Sequence, residues 1–240
     1  MTSHLRALCF DANDPRRLAR FWAGILGREM ADDTHDGVAL LPSDDTGFRI
    51  RFITTDQPSV GTNQLHLHLT STSLDDQQST VDRALALGGR HLDVGQLPEE
   101  SHVVLADPEG NAFCVIEPDN NFLADTGFLG ELACDGSREV GHFWSGALGW
   151  PLVWDQDEET AVQSPGGGTK IAWGGPPQIP KAGKVRQHFD LAPPADGDLQ
   201  AEVDRLVSLG ATRVDIGQGE VSWVVLADPD GHEFCVYPPV

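Results

Sequence analysis

The sequence VVLADPEGNAFCV at residues 103–115 returns almost unchanged as VVLADPDGHEFCV at residues 224–236, 121 positions later. The dipeptide Phe-Trp at residues 21–22 returns at residues 143–144, at an offset of 122. Matching blocks at a nearly constant spacing indicate a duplication. The period is too long for a solenoid repeat, so each copy is expected to be a whole domain or a large part of one.

The length and composition fit two globular domains. The chain has 240 residues, of which 40% are hydrophobic and 22% are charged, and this length suffices for two separate cores. We expect a first domain at residues 1–120 and a second at residues 127–240, joined by the short polar segment 119–126.

Net charge, cysteine spacing and hydropathy limit the class of protein to which the chain can belong. A net charge of −21 argues against nucleic-acid backbone binding, which needs clustered cations. No apolar run reaches the ~20 residues of a membrane span, and the N-terminus shows no export signal. The four cysteines form no metal-type pair or disulfide framework. These features predict a reduced, cytoplasmic protein without a membrane or nucleic-acid partner.

Helix and strand signals appear in the same order in each quarter of the chain. Asp14 before Pro15 is a typical helix start, and Gly27 is expected to end that helix. Residues 48–53 alternate apolar side chains with two arginines, and residues 64–70 alternate leucines with two histidines, as half-buried strands do. The sequence therefore predicts an α+β protein of four βαβββ modules.

This order, the Phe-Trp helix that ends in Leu-Gly, and the closing Asp-Pro-Asp/Glu-Gly-x-x-Phe-Cys-Val segment resemble the glyoxalase/bleomycin-resistance/extradiol-dioxygenase group, the vicinal oxygen chelate superfamily. The resemblance covers nearly the whole chain in two copies. It implies two glyoxalase-like domains, each a curved mixed sheet around a cavity with helices outside. In that family the cavity often holds a divalent metal, here Zn, Mn, Fe or Ni, that binds two vicinal oxygens of a substrate.

The family's metal ligands come from four inward-facing strand positions in each domain. In this chain the four positions fall, in the first and second halves respectively, on Ala7 and Glu131, Arg51 and Ala172, His66 and His188, and Cys114 and Cys235. The assignment of Glu131 assumes a loop that is two residues shorter. The second half thus offers Glu131 and His188 as metal ligands, with Cys235 as a third donor that Zn²⁺ tolerates.

The first half departs from the family pattern. Arg51 stands where an acid is expected, and a guanidinium repels a divalent cation. It suits a ligand carboxylate, phosphate or enolate instead, unless it forms a solvated stripe with Arg49.

The three lysines of the chain, Lys170, Lys181 and Lys184, are either a solvated basic loop or a lid that meets an anionic ligand.

Two sets of candidate site residues follow. The candidates for catalysis are His66, His188 and Asp190. The candidates for contact with a ligand are Arg51, His66, His68, Cys114, Trp154, Trp173, His188 and Cys235. Each has a structural alternative: the histidines and Asp190 as polar residues of a sheet, the cysteines as inert buried thiols, and the tryptophans as helix-packing residues.

Three functions remain open. One is a pocket that binds a small organic molecule, aromatic or anionic, without the full metal site, as drug-binding resistance relatives do. The alternative is a metal-dependent lyase, isomerase or dioxygenase in which the metal acts as a Lewis acid. A third keeps catalysis without metal, with a histidine or Asp190 as base and Arg51 holding an anion. Whether the chain is an enzyme stays open, as does the choice between monomer and homodimer.

Overall fold

The computed structural model describes residues 2–33, 37–42, 47–57, 63–97, 99–174 and 186–239. In chain order the elements are β1 (His4–Ala12), α1 (Pro15–Leu26), β2 (Met30–Asp32), β3 (Val38–Leu40), β4 (Arg49–Thr54), β5 (Leu65–Leu69), α2 (Leu74–Ala86), β6 (Arg90–His91), β7 (Val103–Ala106), β8 (Ala112–Val115), β9 (Leu129–Asp135), α3 (Arg138–Leu148), β10 (Leu152–Gln156), β11 (Glu159–Gln163), β12 (Lys170–Gly174), β13 (Gln187–Ala192), α4 (Leu199–Ser208), β14 (Thr212–Arg213), β15 (Val224–Ala227) and β16 (Glu233–Val236). The four βαβββ modules of an α+β protein are confirmed.

Local sequence explains where the first helix begins and ends. The side chain of Asp14 accepts a hydrogen bond from the backbone N–H of Arg17 at 3.0 Å, and Pro15 occupies the first helical position. Gly27 ends the helix with a φ of 67°, a left-handed conformation that costs glycine little. Both predicted ends of the helix are confirmed.

The four modules pair into two open sheets. The first sheet joins modules one and four in the strand order β14-β15-β16-β13-β1-β4-β3-β2, and the second sheet joins modules two and three in the order β10-β11-β12-β9-β5-β8-β7-β6. The antiparallel contacts of β1 with β13 and of β5 with β9 join the modules. Each sheet therefore takes one module from each half of the chain.

This pairing corrects the expected grouping of site residues within each half. Arg51 shares the first sheet with His188, whereas His66 and Glu131 share the second. The predicted boundary between two domains, at residues 120–127, stays a prediction, because each sheet contains strands from both sides of it.

Helix packing holds the modules of one half together. Trp22 of α1 packs edge-on against Phe113 of β8, with ring centres 5.0 Å apart, and Trp144 of α3 makes the equivalent contact with Phe234 at 5.0 Å. Both tryptophans are almost fully buried, as expected for core residues.

Among the described helices, none combines the length and apolar character needed to cross a bilayer.

The repeated Asp-Pro-x-Gly turn also links the modules of one half. In the first copy, Asp107 accepts a hydrogen bond from Trp22 Nε1 at 3.1 Å, and Glu109 accepts from the backbone N–H groups of Asn13 and Asp14 before α1. In the second copy, the equivalent acids bond to Trp144 and to Ser137 before α3. Both acids of the motif thus anchor a helix to the neighbouring module.

Candidate functional site

Strand register brings the predicted positions of the first sheet onto one face. On β1, Cys9 lies opposite both His188 and Arg51, and Ala7 lies opposite Asp190. Asp190 in turn lies opposite Cys235. Since side chains at alternate strand positions point to the same face, these side chains share one surface of the sheet.

The second sheet repeats this register with different residues. Ala133 lies opposite both His66 and Ala172, and Glu131 lies opposite His68. Glu131 is therefore equivalent to Ala7, and Ala172 to Arg51, in agreement with the two-residue shift assumed from the sequence. Each sheet carries its own version of the four positions, drawn from both halves of the chain.

In the first sheet, the side chain of Arg51 fills the space above the face that these strand positions share. Its Nη1 donates to Asp190 Oδ2 at 2.6 Å and to the hydroxyl of Tyr237 at 3.3 Å, and its Nε donates to Asp33. Burial alone would lower the pKa of this guanidinium, but the carboxylates of Asp33 and Asp190 raise it. The guanidinium of Arg51 is therefore paired with carboxylates of the protein itself.

The same network immobilises the thiol of Cys9. Its sulfur donates to Asp190 Oδ2 at 2.9 Å, and the side chain is fully buried. Burial and the negative charge of Asp190 raise the pKa of this thiol well above its usual range. Cys9 is thus a protonated hydrogen-bond donor rather than a nucleophile.

In the second sheet, the space that corresponds to the one filled by Arg51 in the first sheet is open. Ala133 and Ala172 leave room where Cys9 and Arg51 stand in the first sheet, and the cavity measures about 530 Å³. Its described lining consists of Asn63, Gln64, His66, Phe122, Glu131, Ala133, Cys134, Asp135, Trp154, Glu159, Thr160, Ala172, Trp173 and Gly174. The volume suits a small organic molecule.

Two aromatic rings form a wall of this cavity. Phe122 packs edge-on against Trp154, with ring centres 5.9 Å apart and an interplanar angle of 84°. Trp154 is 37% exposed, so part of its ring remains free for a ligand. Lys170 sits over Phe122, its ammonium nitrogen 4.6 Å from the ring centre, and donates to the carbonyl of Phe122. Lys181 and Lys184 lie outside the described residues.

A polar cluster surrounds His66 and Glu131, which both belong to the cavity lining. His68 Nδ1 lies 2.6 Å from Glu131 Oε2, and the rings of His66 and His68 have centres 4.8 Å apart. Burial, together with the neighbouring His68 and His102, lowers the pKa of His66 to about 4. Burial alone would also lower the pKa of His68, but its contacts with Cys114 and Glu131 raise it to about 10. At neutral pH His66 is therefore neutral and His68 is a cation paired with Glu131.

Two groups of side chains have the composition and spacing of a metal site. They are His66, His68 and Cys114 in the second sheet, and Cys9, His188 and Asp190 in the first, with ligand atoms within 4.8 Å of one another in each group. The predicted ligands Glu131 and His188 are not brought together, because they belong to different sheets. Arg51 lies beside the second group, where its Nη1 donates to Asp190 Oδ2 at 2.6 Å.

The remaining predicted residues have different positions. Trp154 and Trp173 both belong to the cavity lining. Trp173 is only 1% exposed, however, and its ring stacks on Trp144 with ring centres 6.2 Å apart. Its neighbour Ala172 points into the cavity instead, because adjacent strand residues face opposite sides. Cys235 is buried opposite Asp190 in the first sheet.

Sequence reasoning missed three contributors. Tyr237 follows β16 two positions after Cys235, so period-two alternation could have placed it on the same face as Arg51. Asp33 lies just beyond β2, where no periodic pattern constrains it. Phe122 belongs to the short segment between the halves and reaches the cavity only because modules two and three share a sheet.

Two eight-stranded sheets of paired βαβββ modules, each with a polar inner face, define a tandem glyoxalase-like protein. The family model described as the glyoxalase-like domain matches residues 7–116 and 131–237. The chain therefore belongs to the glyoxalase-like family of the vicinal oxygen chelate superfamily. A search among curated proteins gives no match.

Solved structures share this fold over nearly the whole chain. A mutant of glyoxalase I from Zea mays superposes with a TM-score of 0.69 at 16% identity, over 98% of this chain and 92% of the other. A putative dioxygenase from Bacillus subtilis superposes with a TM-score of 0.61 at 15% identity, over 98% and 84% of the two chains. At such identities the likeness shows the fold alone.

Proposed function

We propose that this protein binds a small, flat organic molecule in the cavity of the second sheet. The observation that carries the proposal is the difference between equivalent positions, Ala172 in the open cavity and Arg51 in the filled one. The free part of the Trp154 ring offers a stacking surface for an aromatic ligand. Since the modules already pair within one chain, we also propose that a monomer suffices for binding.

The charges of the cavity favour a neutral or cationic ligand over an anionic one. Asp135 and Glu159 belong to its lining, and the described lining residues include neither lysine nor arginine. The anion clamp expected at Arg51 belongs to the first sheet and is bonded to Asp190 and Asp33. Aromatic rings beside carboxylates suit a flat molecule with a partial or full positive charge.

Filling the cavity is expected to abolish this binding. Ala172→Leu adds three carbon atoms to a side chain that points into open space, so folding is retained while a ligand is excluded. Trp154→Ala removes one stacking face and is expected to weaken binding about tenfold, which corresponds to ~1.4 kcal/mol. A panel of neutral, cationic and anionic aromatic compounds, titrated by calorimetry, measures both effects.

Val153→Ala is the matched control, because Val153 is exposed on the same strand as Trp154 and does not belong to the cavity lining. It is expected to bind as the wild type does. Equal affinity of the wild type and Ala172→Leu for the best compound would place the binding site elsewhere. Binding restricted to anionic compounds would contradict the proposed charge preference.

The alternative function, a metal-dependent lyase, isomerase or dioxygenase, is supported by one observation. His66, which belongs to the lining of the same cavity, lies beside His68 and Cys114 with the spacing of a metal site. An enzyme of this kind would lose turnover on treatment with a chelator and regain it with one added metal. A binding protein would show stoichiometric binding without turnover in either state.

A further inference from the structure

A second, smaller cavity, here called the side cavity, adjoins the cavity of the second sheet. The described linings of the two cavities share four residues: Gln64, Cys134, Asp135 and Trp173. Cys134 and Trp173 directly follow Ala133 and Ala172 on their strands, and adjacent strand residues face opposite sides of a sheet. The side cavity therefore continues the larger cavity around the strand ends to the packed side of the sheet.

The side chain of Gln187 is buried against the side cavity. Gln187 is the first residue of β13, is only 3% exposed and belongs to the lining of the side cavity. Within the described part of the chain, neither its Nε2 nor its Oε1 has a hydrogen-bond partner. A buried amide without partners destabilises the folded protein, so the position calls for a partner from outside the chain.

The duplication shows that the fold does not need a glutamine at this position. Leu65 is the first residue of β5, as Gln187 is of β13, and the two lie 122 positions apart. Leucine fills the equivalent position with a side chain of similar size and no polar atom. The amide of Gln187 is therefore a feature of the second half alone, beside the cavity where a ligand would reach it.

We propose that the side cavity takes an amide-like group of the ligand, in which a carbonyl oxygen and an N–H lie side by side. Such a group donates to Oε1 and accepts from Nε2 of Gln187 at once, whereas a ketone can only accept and an ammonium can only donate. A carboxylate cannot donate either, and it would meet Asp135 and Asp228 of the same lining.

The size of the side cavity suits this group. Its volume of about 40 Å³ exceeds the ~10–15 Å³ that a single water requires, but it is too small for a ring. The ring of the ligand would remain in the larger cavity. The inference rests on the proposed function, since it narrows the flat ligand of that cavity to an aromatic carboxamide or lactam.

Three probes with one ring each separate the amide from the ring. Benzamide can donate and accept, acetophenone can only accept, and benzoate is an anion. We expect the wild type to bind benzamide about tenfold more tightly than acetophenone, because the ketone leaves Oε1 of Gln187 without a donor. Benzoate is expected to bind more weakly than either. Calorimetric titration measures the three affinities.

Gln187→Leu introduces the residue of the other copy and is expected to remove the tenfold preference, while acetophenone binds as it does to the wild type. The melting temperature is expected to stay the same or to rise, because two unbonded polar atoms leave a buried site. Gln156→Leu is the matched control, since Gln156 is exposed on β10 and outside the described lining of both cavities. It is expected to keep the preference for benzamide.

Equal binding of benzamide and acetophenone by the wild type, or a preference for benzamide that persists in folded Gln187→Leu, overturns the inference. A clear fall in the melting temperature of Gln187→Leu also overturns it, because the amide would then be bonded within the protein. In these cases the proposed function stands if Trp154→Ala weakens binding of the probes. A wild type that binds no aromatic compound overturns both.

Discussion

Asp107→Ala is expected to lower the free energy of unfolding by about 3–4 kcal/mol, through the loss of several buried hydrogen bonds at once. The carboxylate is fully buried and accepts from Trp22 Nε1 at 3.1 Å and from Asn111 Nδ2 at 2.7 Å. It also accepts the backbone N–H groups of Glu109 at 2.9 Å and of Asn111 at 3.0 Å. Alanine leaves these donors without a partner in a site closed to water.

Urea unfolding at neutral pH measures the effect. Asp228→Ala removes the equivalent carboxylate beside Trp144 and is expected to cost a similar amount, since the two turns are copies. Asp56→Ala removes an exposed carboxylate and is expected to change stability by less than about 0.5 kcal/mol. If Asp107→Ala behaves like Asp56→Ala, the repeated turn does not anchor α1 as the hydrogen bonds indicate.

Arg51→Met is expected to lower the free energy of unfolding by about 3–5 kcal/mol, the usual cost of removing one partner from a buried ion pair. Asp190 is fully buried, and methionine leaves its negative charge without the guanidinium that compensates it. The double variant Arg51→Met with Asp190→Asn removes the charge as well and is expected to recover a large part of the loss.

Arg49→Met is the matched control, because Arg49 lies on the same strand and the same face but is exposed. Its effect on stability is expected to stay within about 0.5 kcal/mol. Chemical denaturation of the wild type, Arg51→Met, Asp190→Asn and the double variant gives the coupling between residues 51 and 190 directly. Equal losses for Arg49→Met and Arg51→Met would show that the guanidinium of Arg51 does not compensate a buried charge.

Much of the fold could be predicted because local patterns and the duplication agree. The alternation of Arg49 and Arg51 with apolar neighbours predicted β4 and its polar face, and Asp14 with Gly27 predicted both ends of α1. The duplication then extended each prediction to the second half. Agreement between propensity, capping and periodicity is what makes a fold readable from sequence.

The pairing of modules could not be predicted in the same way. The strands β1, β5, β9 and β13 all carry an apolar face and a polar face, so pairing within a half and pairing across halves satisfy the same periodicity. The choice is made by long-range contacts, such as Trp22 against Phe113, that place two modules of one half in different sheets. For this reason the sequence alone groups Arg51 with His66, and Glu131 with His188.

The asymmetry between the two sheets follows from few substitutions. Arg51 with Asp190 fills one inner face, and Ala172 with Ala133 opens the other. These differences are present in the sequence, but their effect on the two faces depends on which strands lie side by side.

The most direct test of the account is the position of bound aromatic compounds in crystals of this protein soaked with a set of small, flat, neutral and cationic molecules. We predict density in the second sheet, between Trp154 and Ala172, and none beside Arg51. Compounds bound beside Arg51 and Asp190 in the first sheet, with the cavity of the second sheet left without a ligand, would contradict it.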